Sequence, residues 1–258
     1  MTQKLEKMLV QLVKLYPKYI DLSLKRLLKL LNKLGNPHLK LPPTIHIAGT
    51  NGKGSSLSYI RHILQENNFL VHCYTSPHLK SIEERFIVSN RQIGKQKLLN
   101  ALKYVKKINN GKPITFFEIT TATAFYIFAK EQADFALLET GLGGRLDATN
   151  VIKQAIIDIL TPISMDHHEF LGNNLKKIVN EKLGIIEVEK FKEFGGQTIV
   201  DCTSLGIMRS PNSLNKISSK TGVNIICGSG YYVQQSHPSN MSEKKEKDID
   251  DASTHYTD

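Results

Sequence analysis

Cysteine is scarce in this chain of 258 residues: Cys73, Cys202 and Cys227 are scattered and show no CxxC spacing. An odd, dispersed set argues against a disulfide framework or a zinc site and for a reducing compartment, so a cytoplasmic location is expected. No apolar run reaches the roughly 18 uninterrupted residues of a membrane span, and no membrane partner is expected. The N-terminus, MTQKLEKMLVQLVKLYPKY, threads charges through its apolar positions and lacks a cleavable hydrophobic core. It reads as an amphipathic helix, not a signal peptide. No DNA-binding motif accompanies the net charge of +10. Much of the excess (Lys4, Lys7, Lys14, Lys18, Lys25, Arg26, Lys29, Lys33, Lys40) is spread along N-terminal helices, as on a solvated face, and no nucleic-acid partner is expected. A positive field also suits an anionic small molecule.

What is present is an ordinary globular composition, 40% hydrophobic and 22% charged, long enough for one large domain or one domain plus a smaller piece. The most informative stretch is Ile45–Ser56, IHIAGTNGKGSS. An apolar run suited to a buried strand breaks into Gly49, Gly52 and Gly54 around Lys53, then resumes as a helical pattern over 57–65. Strand, glycine-rich turn and helix form the layout of a phosphate-binding loop. Its backbone N–H groups and helix N-terminus meet phosphate oxygens, and the lysine reaches the outer phosphates. The general pattern has Ser or Thr directly after the lysine, whereas here Gly54 precedes Ser55.

Helices are expected over 5–15, 24–34 (capped by Asp21 or Ser23), 96–108 and 118–132, and strands over 71–74, 86–88, 135–138 and 155–160. Short continuous apolar strands alternating with helices predict an α/β doubly wound, mostly parallel sheet, with ligands beyond the carboxyl ends of its strands. The loops leaving those strands are 49–55, TSPHL (75–79), ETGLGGRLDATN (139–150) and TPISMDHHEFLG (161–172), which could converge on one cleft. On local pattern alone, Ser76 reads as a turn residue before Pro77 and Glu139 as a loop carboxylate. Likewise His167 and His168 read as a surface pair, Lys182 as solvated, Arg145 and Asp147 as a surface ion pair, and Cys73 as a small buried hydrophobe.

Taken in order, GTNGKGS, TSPHL, FFE (116–118), LETGLGGRLDATN, DH and EKLGI (181–185) resemble the folylpolyglutamate synthase and dihydrofolate synthase family of the Mur ligase superfamily. The resemblance covers roughly residues 5–186, and the intervening Gly54 is a feature of that family. It implies ATP-dependent amide formation between a pteroate or folate carboxylate and L-glutamate, through an acyl phosphate. By resemblance, Gly49, Thr50, Asn51, Gly52, Lys53, Gly54 and Ser55 hold ATP, with Lys53 the main charge. Ser76, Glu139 and His167 hold Mg²⁺, and Lys182 matches a carbamylated lysine that helps order the metal. Lys53, Lys182 and His167 are thus the catalytic candidates. Tyr19, Ile20, Asp21, Leu22, Thr115, Leu146, Asp147 and Ala148 match positions that contact the dihydropteroate or folate substrate. The family points to a monomer.

The family continues with further strands and a second α/β domain that helps bind glutamate, but from Glu187 this sequence changes. Residues 187–247 resemble a fragment of the phosphotriesterase-related metallohydrolases, with strands at 198–201 and 223–228 flanking a helix at 211–221. That βα spacing suits part of a TIM barrel as well as an open sheet. The metal ligands of that family have no counterpart here, so Asp201 is expected to end a strand and His237 to lie in a loop. The expected organisation is an ATP-binding Mur ligase-like unit over 1–186, a βα fragment over 187–241 and a polar, disordered tail over 242–258. The 186/187 junction reads as a fusion artefact, or as a true fusion whose second part patches the ligase sheet. Weak or absent ligase activity is expected of the chain as it stands; the alternatives are a non-catalytic nucleotide-binding fragment and, disfavoured because its ligand set is missing, a phosphotriesterase-like metallohydrolase.

Overall fold

A computed structural model describes residues 2–16, 23–152, 155–163, 192, 197–201 and 211–227. Helix α1 (Thr2–Val13) buries Leu5, Met8 and Leu12, and α2 (Lys25–Lys33) buries Leu27, Leu30 and Leu31, each at the three-to-four-residue spacing of one helix face. Fully burying such a side chain contributes about 1.5–3 kcal/mol. The expected polar cap on α2 is not made. Leu24 occupies the cap position with no side-chain bond, and Asp21 lies outside the described residues.

Strand β1 (Thr44–Ala48) feeds the glycine loop and α3 (Lys53–Glu66), followed by β2 (Val71–Tyr74). A 3₁₀ turn, Ile82–Arg85, opens with a capping box between Ser81 and Glu84 and leads into β3 (Phe86–Val88) and the two-residue β4 (Arg91–Gln92). Then come α4 (Lys95–Asn109), α5 (Phe116–Phe128), β5 (Phe135–Glu139) and β6 (Ile157–Leu160). α5 starts at its Thr115 cap and ends at Phe128, two residues earlier and four earlier than the apolar pattern suggested. β7 (Thr198–Asp201), α6 (Pro211–Thr221) and β8 (Asn224–Cys227) complete the described elements.

Among the described residues the strands form one eight-stranded sheet, ordered β4-β3-β2-β5-β1-β6-β7-β8. β2, β5, β1, β6, β7 and β8 run parallel, while β3 and β4 add antiparallel at one edge. The two strands beyond residue 187 therefore extend this open sheet: β7 pairs residue for residue with β6, Ile157 opposite Thr198 through Leu160 opposite Asp201. Asp201 ends its strand as expected.

The strand period of two sorts the faces. Ile45, Ile47, Cys73 and Leu137 pack with Leu57 of α3, whereas Tyr74 and Leu138 pack with α1, α2, α4 and α5. The connection after β1 leads to one side of it and that after β5 to the other, so a crevice opens at the carboxyl end of β1. No described helix is long and apolar enough to cross a membrane.

Candidate functional site

The loop after β1 is pressed against the loop after β6. Gly49 has φ +147°, and a Cβ there would sit 1.9 Å from Thr161 Oγ1 and 2.8 Å from its carbonyl oxygen, so no side chain fits. The N–H groups of Thr50 and Asn51 donate to Pro162 O at 3.0 and 3.3 Å, and Gly52, at φ +84°, turns the chain into α3. The first bond of the helix is Ser56 N–H to Gly52 O at 2.9 Å. The N–H groups of Lys53, Gly54 and Ser55 thus face outward at the positive helix end, which has no side-chain cap and no acid in its first turn. Lys53 Nζ donates to Gly49 O at 3.0 Å and Thr50 O at 3.1 Å, curling its charge over the loop. The arrangement suits an anionic phosphate group.

Facing the loop, Glu139 ends β5 and is buried. Its Oε2 accepts the Ser76 N–H at 3.1 Å, which joins the ends of β2 and β5. Burial pushes the Glu139 carboxyl above its ordinary range, opposed by that hydrogen bond and by the charges of Lys53 and Arg85. Magnesium takes one or two carboxylates, phosphate oxygens and several waters. A carboxylate and a hydroxyl beside a phosphate loop fit that need. Among the described residues no group of three His, Cys, Asp or Glu side chains could hold a metal on its own. His167 and Lys182 lie outside the described residues, as do His168 and His237.

Beside this edge lies a cleft of ≈ 720 Å³, within the range of small-molecule sites. α1 supplies an apolar wall (Leu9, Val10, Val13), and Thr115, Phe117, Leu146, Asp147 and Ala148 line it, with Ser76 at the boundary with the phosphate loop. Thr115 caps α5: its hydroxyl accepts the Glu118 N–H at 3.2 Å, and Glu118 Oε2 accepts the Thr115 N–H at 2.7 Å. Glu118 also pairs with Arg26, Oε1 to Nη2 at 3.2 Å, fastening α2 to α5 beside the cleft. Gly141 makes room for the Phe117 ring, which a Cβ would meet at 2.5 Å. Tyr19, Ile20, Asp21 and Leu22 lie outside the described residues.

Asp147 is no surface partner of Arg145: it is buried while Arg145 is exposed. Its Oδ2 accepts the N–H groups of Gly141 and Leu142, both at 2.8 Å, and its Oδ1 accepts the Thr149 N–H at 2.9 Å and hydroxyl at 2.6 Å. Burial pushes its carboxyl upward against these four donors. One side chain thereby sets the shape of the whole GLGGRLDAT loop.

Sequence reasoning missed two groups. The first runs inward from Asp147. The Thr149 hydroxyl donates its hydrogen bond to Asp147 Oδ1, so its oxygen accepts from His46 Nε2–H at 2.7 Å. His46 Nδ1 then faces Asp158 Oδ1 at 3.8 Å, both residues being almost wholly buried. Burial lowers His46 to about 4 and raises Asp158 to about 8, so both are neutral at pH 7. The signal was a polar residue inside each of two apolar strands, IHIA and IDIL. The second is Arg85, buried at the edge of the cleft with its Nε donating to His78 Nδ1 at 2.9 Å. Its sequence context, EER, reads as surface. The Cys73 thiol is buried and pushed up to about 12, an inert hydrophobe as expected.

Two family models match the chain: the Mur ligase middle domain over residues 47–200 and the Phosphotriesterase family over residues 159–250. The chain is similar to the dihydrofolate synthetase of Saccharomyces cerevisiae, 42% identical over 171 residues, or 65% of this chain and 40% of the yeast protein. The dihydrofolate synthase/folylpolyglutamate synthase of Bacillus subtilis is 41% identical over 173 residues, 64% of this chain and 40% of that one. Among solved structures, E. coli FolC in complex with DHPP and ADP aligns with a TM-score of 0.74 at 30% identity, covering 86% of this chain and 51% of that chain. That share exceeds what residues 1–186 can supply, so the structural match runs into the segment that resembles the phosphotriesterases. The chain spans about 40% of the length of the curated relatives it matches.

Proposed function

The chain belongs to the Mur ligase family through a middle domain matched over residues 47–200, more than half its length, and from that membership we propose that it serves an ATP-dependent ligase. The reaction joins the carboxylate of a pteroate or folate to the amine of L-glutamate, as in dihydrofolate synthase and folylpolyglutamate synthase. The observation that carries this reading is the convergence, on one edge of one sheet, of the glycine loop, the Ser76–Glu139 pair and the apolar cleft.

Each part has a chemical task. Phosphoryl transfer is mostly positioning and charge neutralisation. The outward N–H groups of Lys53, Gly54 and Ser55 and the Lys53 ammonium hold the nucleotide phosphates. Ser76 and Glu139, with His167 by family resemblance, would hold Mg²⁺, which would supply positive charge to offset that of the phosphates. Lys182 helps order that site. Thr115, Leu146, Asp147 and Ala148, with Tyr19–Leu22, seat the ring end of the acid, and the cleft excludes water from its carboxyl end. The carboxylate attacks the terminal phosphate of ATP to give an acyl phosphate and ADP. The glutamate amine then displaces phosphate to form the amide. The ligase unit spans 1–186, residues 187–241 lend it two sheet strands, and 242–258 is a polar tail; the protein works as a cytoplasmic monomer.

The test is phosphate release from ATP by the purified chain, alongside binding of ATP and of dihydropteroate. The expected result is binding of both ligands, with phosphate release that requires the acid and glutamate together weak or absent in this chain, which spans about 40% of the length of its curated relatives. ATP binding without acid binding would favour a nucleotide-binding module, a reading that the chain's 40% span of its relatives supports. Metal-dependent hydrolysis of esters or lactones without ATP binding would favour the phosphotriesterase match.

A further inference from the structure

Arg85 ends the 3₁₀ turn at the start of β3, and its side chain is buried at the boundary between the apolar cleft and the Ser76–Glu139 pair. A guanidinium carries its charge throughout the working range of a protein, and a buried charge with no counter-ion is costly. Around Arg85 the protein supplies dipoles and rings. Nε donates to His78 Nδ1 at 2.9 Å, the Tyr74 hydroxyl lies nearby, and the Phe116 ring centroid lies 5.8 Å away.

The nearby acids are engaged elsewhere. Glu83 faces Lys95 at 3.8 Å, and Glu84 takes the backbone N–H groups of Leu79, Lys80 and Ser81. Glu139 accepts from Ser76 and feels Arg85 only through space. Among the described residues no carboxylate forms an ion pair with Arg85. His78 keeps the guanidinium in place without neutralising it. Its Nδ1 accepts the hydrogen bond of Arg85 Nε–H and so carries no proton itself, and burial together with the Arg85 charge lowers its pKa.

We propose that Arg85 receives the carboxylate of the acid substrate and holds it toward the phosphate loop, an inference that rests on the reading given under Proposed function. With Nε committed to His78, the Nη–H donors grip one carboxylate oxygen and leave the other to react. That second oxygen bonds to the terminal phosphorus of ATP as the bridging P–O bond breaks. ADP departs with the electron pair, and no proton moves. Arg85 thus selects an ionised acid over a neutral analogue and sets the attack distance. The ring end is left to the apolar walls.

The experiment titrates the full chain with pteroate and with its uncharged carboxamide, in wild type, Arg85→Gln and Arg85→Lys. Wild type binds the acid about tenfold or more tightly than the carboxamide, the size expected of a charge-assisted bond. Arg85→Gln abolishes that preference and changes carboxamide binding by less than about twofold, while Arg85→Lys retains part of the preference. A wild-type chain that binds both forms alike overturns the proposal without any variant, so folding of Arg85→Gln is not limiting. A preference that survives in Arg85→Gln overturns it too. If Arg85→Gln instead weakens ADP binding and spares the preference, the guanidinium serves the nucleotide and the proposal fails. Binding of neither form by wild type overturns the functional reading itself.

Discussion

Lys53 and His46 show two ways in which a basic side chain supports one site. Lys53 lies on the rim and donates to two carbonyls of its own loop, which on the proposed function it exchanges for phosphate oxygens. His46 lies within the sheet, and its hydrogen bond fixes Thr149, which fixes Asp147 and the loop above it. The pair beneath gives a pH signature. The unfolded chain releases the Asp158 proton near pH 3.8, whereas the folded chain holds it to about 8, so this group's contribution falls as pH rises between those values. His46 acts oppositely, being protonated below 6.5 when unfolded and only below about 4 when folded, so its contribution is lost as pH falls through that window. Asp158→Asn removes the first loss and is expected to raise stability at pH 7.5 by roughly 1–3 kcal/mol, with the gain shrinking toward pH 4. Urea unfolding at both pH values measures this, and an equal effect at the two would contradict it. At this scale the glycine loop was legible because its requirements are local. Arg85 was not, since the packing that buries it comes from α5 and the cleft.

Among the elements, α5 shows how a short signal sets a functional edge. The Thr115–Glu118 box starts the helix where the cleft begins, and the Glu118–Arg26 pair ties that start to α2. Thr115→Ala is expected to cost about 1 kcal/mol of stability, and Thr115→Ser to cost less. Denaturant midpoints decide this, and no difference between the two variants would mean that the cap is idle. The strands at 71–74, 86–88 and 198–201 were legible to the residue because each is a compact apolar run between turn residues. The 3₁₀ turn at Ile82–Arg85 and β4 were not legible. Two exposed polar residues become a strand only because Ile87 and Val88 offer an edge. The α2 cap was misread because Leu24 takes that place with no side-chain help.

At the scale of the molecule, the sequence changes family resemblance at 187 while the sheet continues. Short apolar strands carry no label for their neighbours, so their order follows from tertiary packing, and the text could not decide between part of a barrel and an open sheet. Ile199 of β7 packs with Ala48, Leu160 and Val223, joining the last strands to the end of β1, where the glycine loop begins. Ile199→Ala is expected to cost about 2–4 kcal/mol and to move one cooperative unfolding transition as a whole. A main transition that stays in place while a second, smaller one shifts would mean that β7 and β8 fold apart from the ligase sheet.

The proposed chemistry depends first on a nucleotide binding at the loop on the carboxyl end of β1. The most direct measurement is calorimetric titration of the full chain with ATP and Mg²⁺ in wild type, Lys53→Ala and Lys103→Ala, Lys103 being an exposed residue of α4. The expected result is saturable binding that Lys53→Ala weakens by about tenfold or more and Lys103→Ala leaves unchanged. Equal binding by all three proteins, or none by wild type, would contradict it.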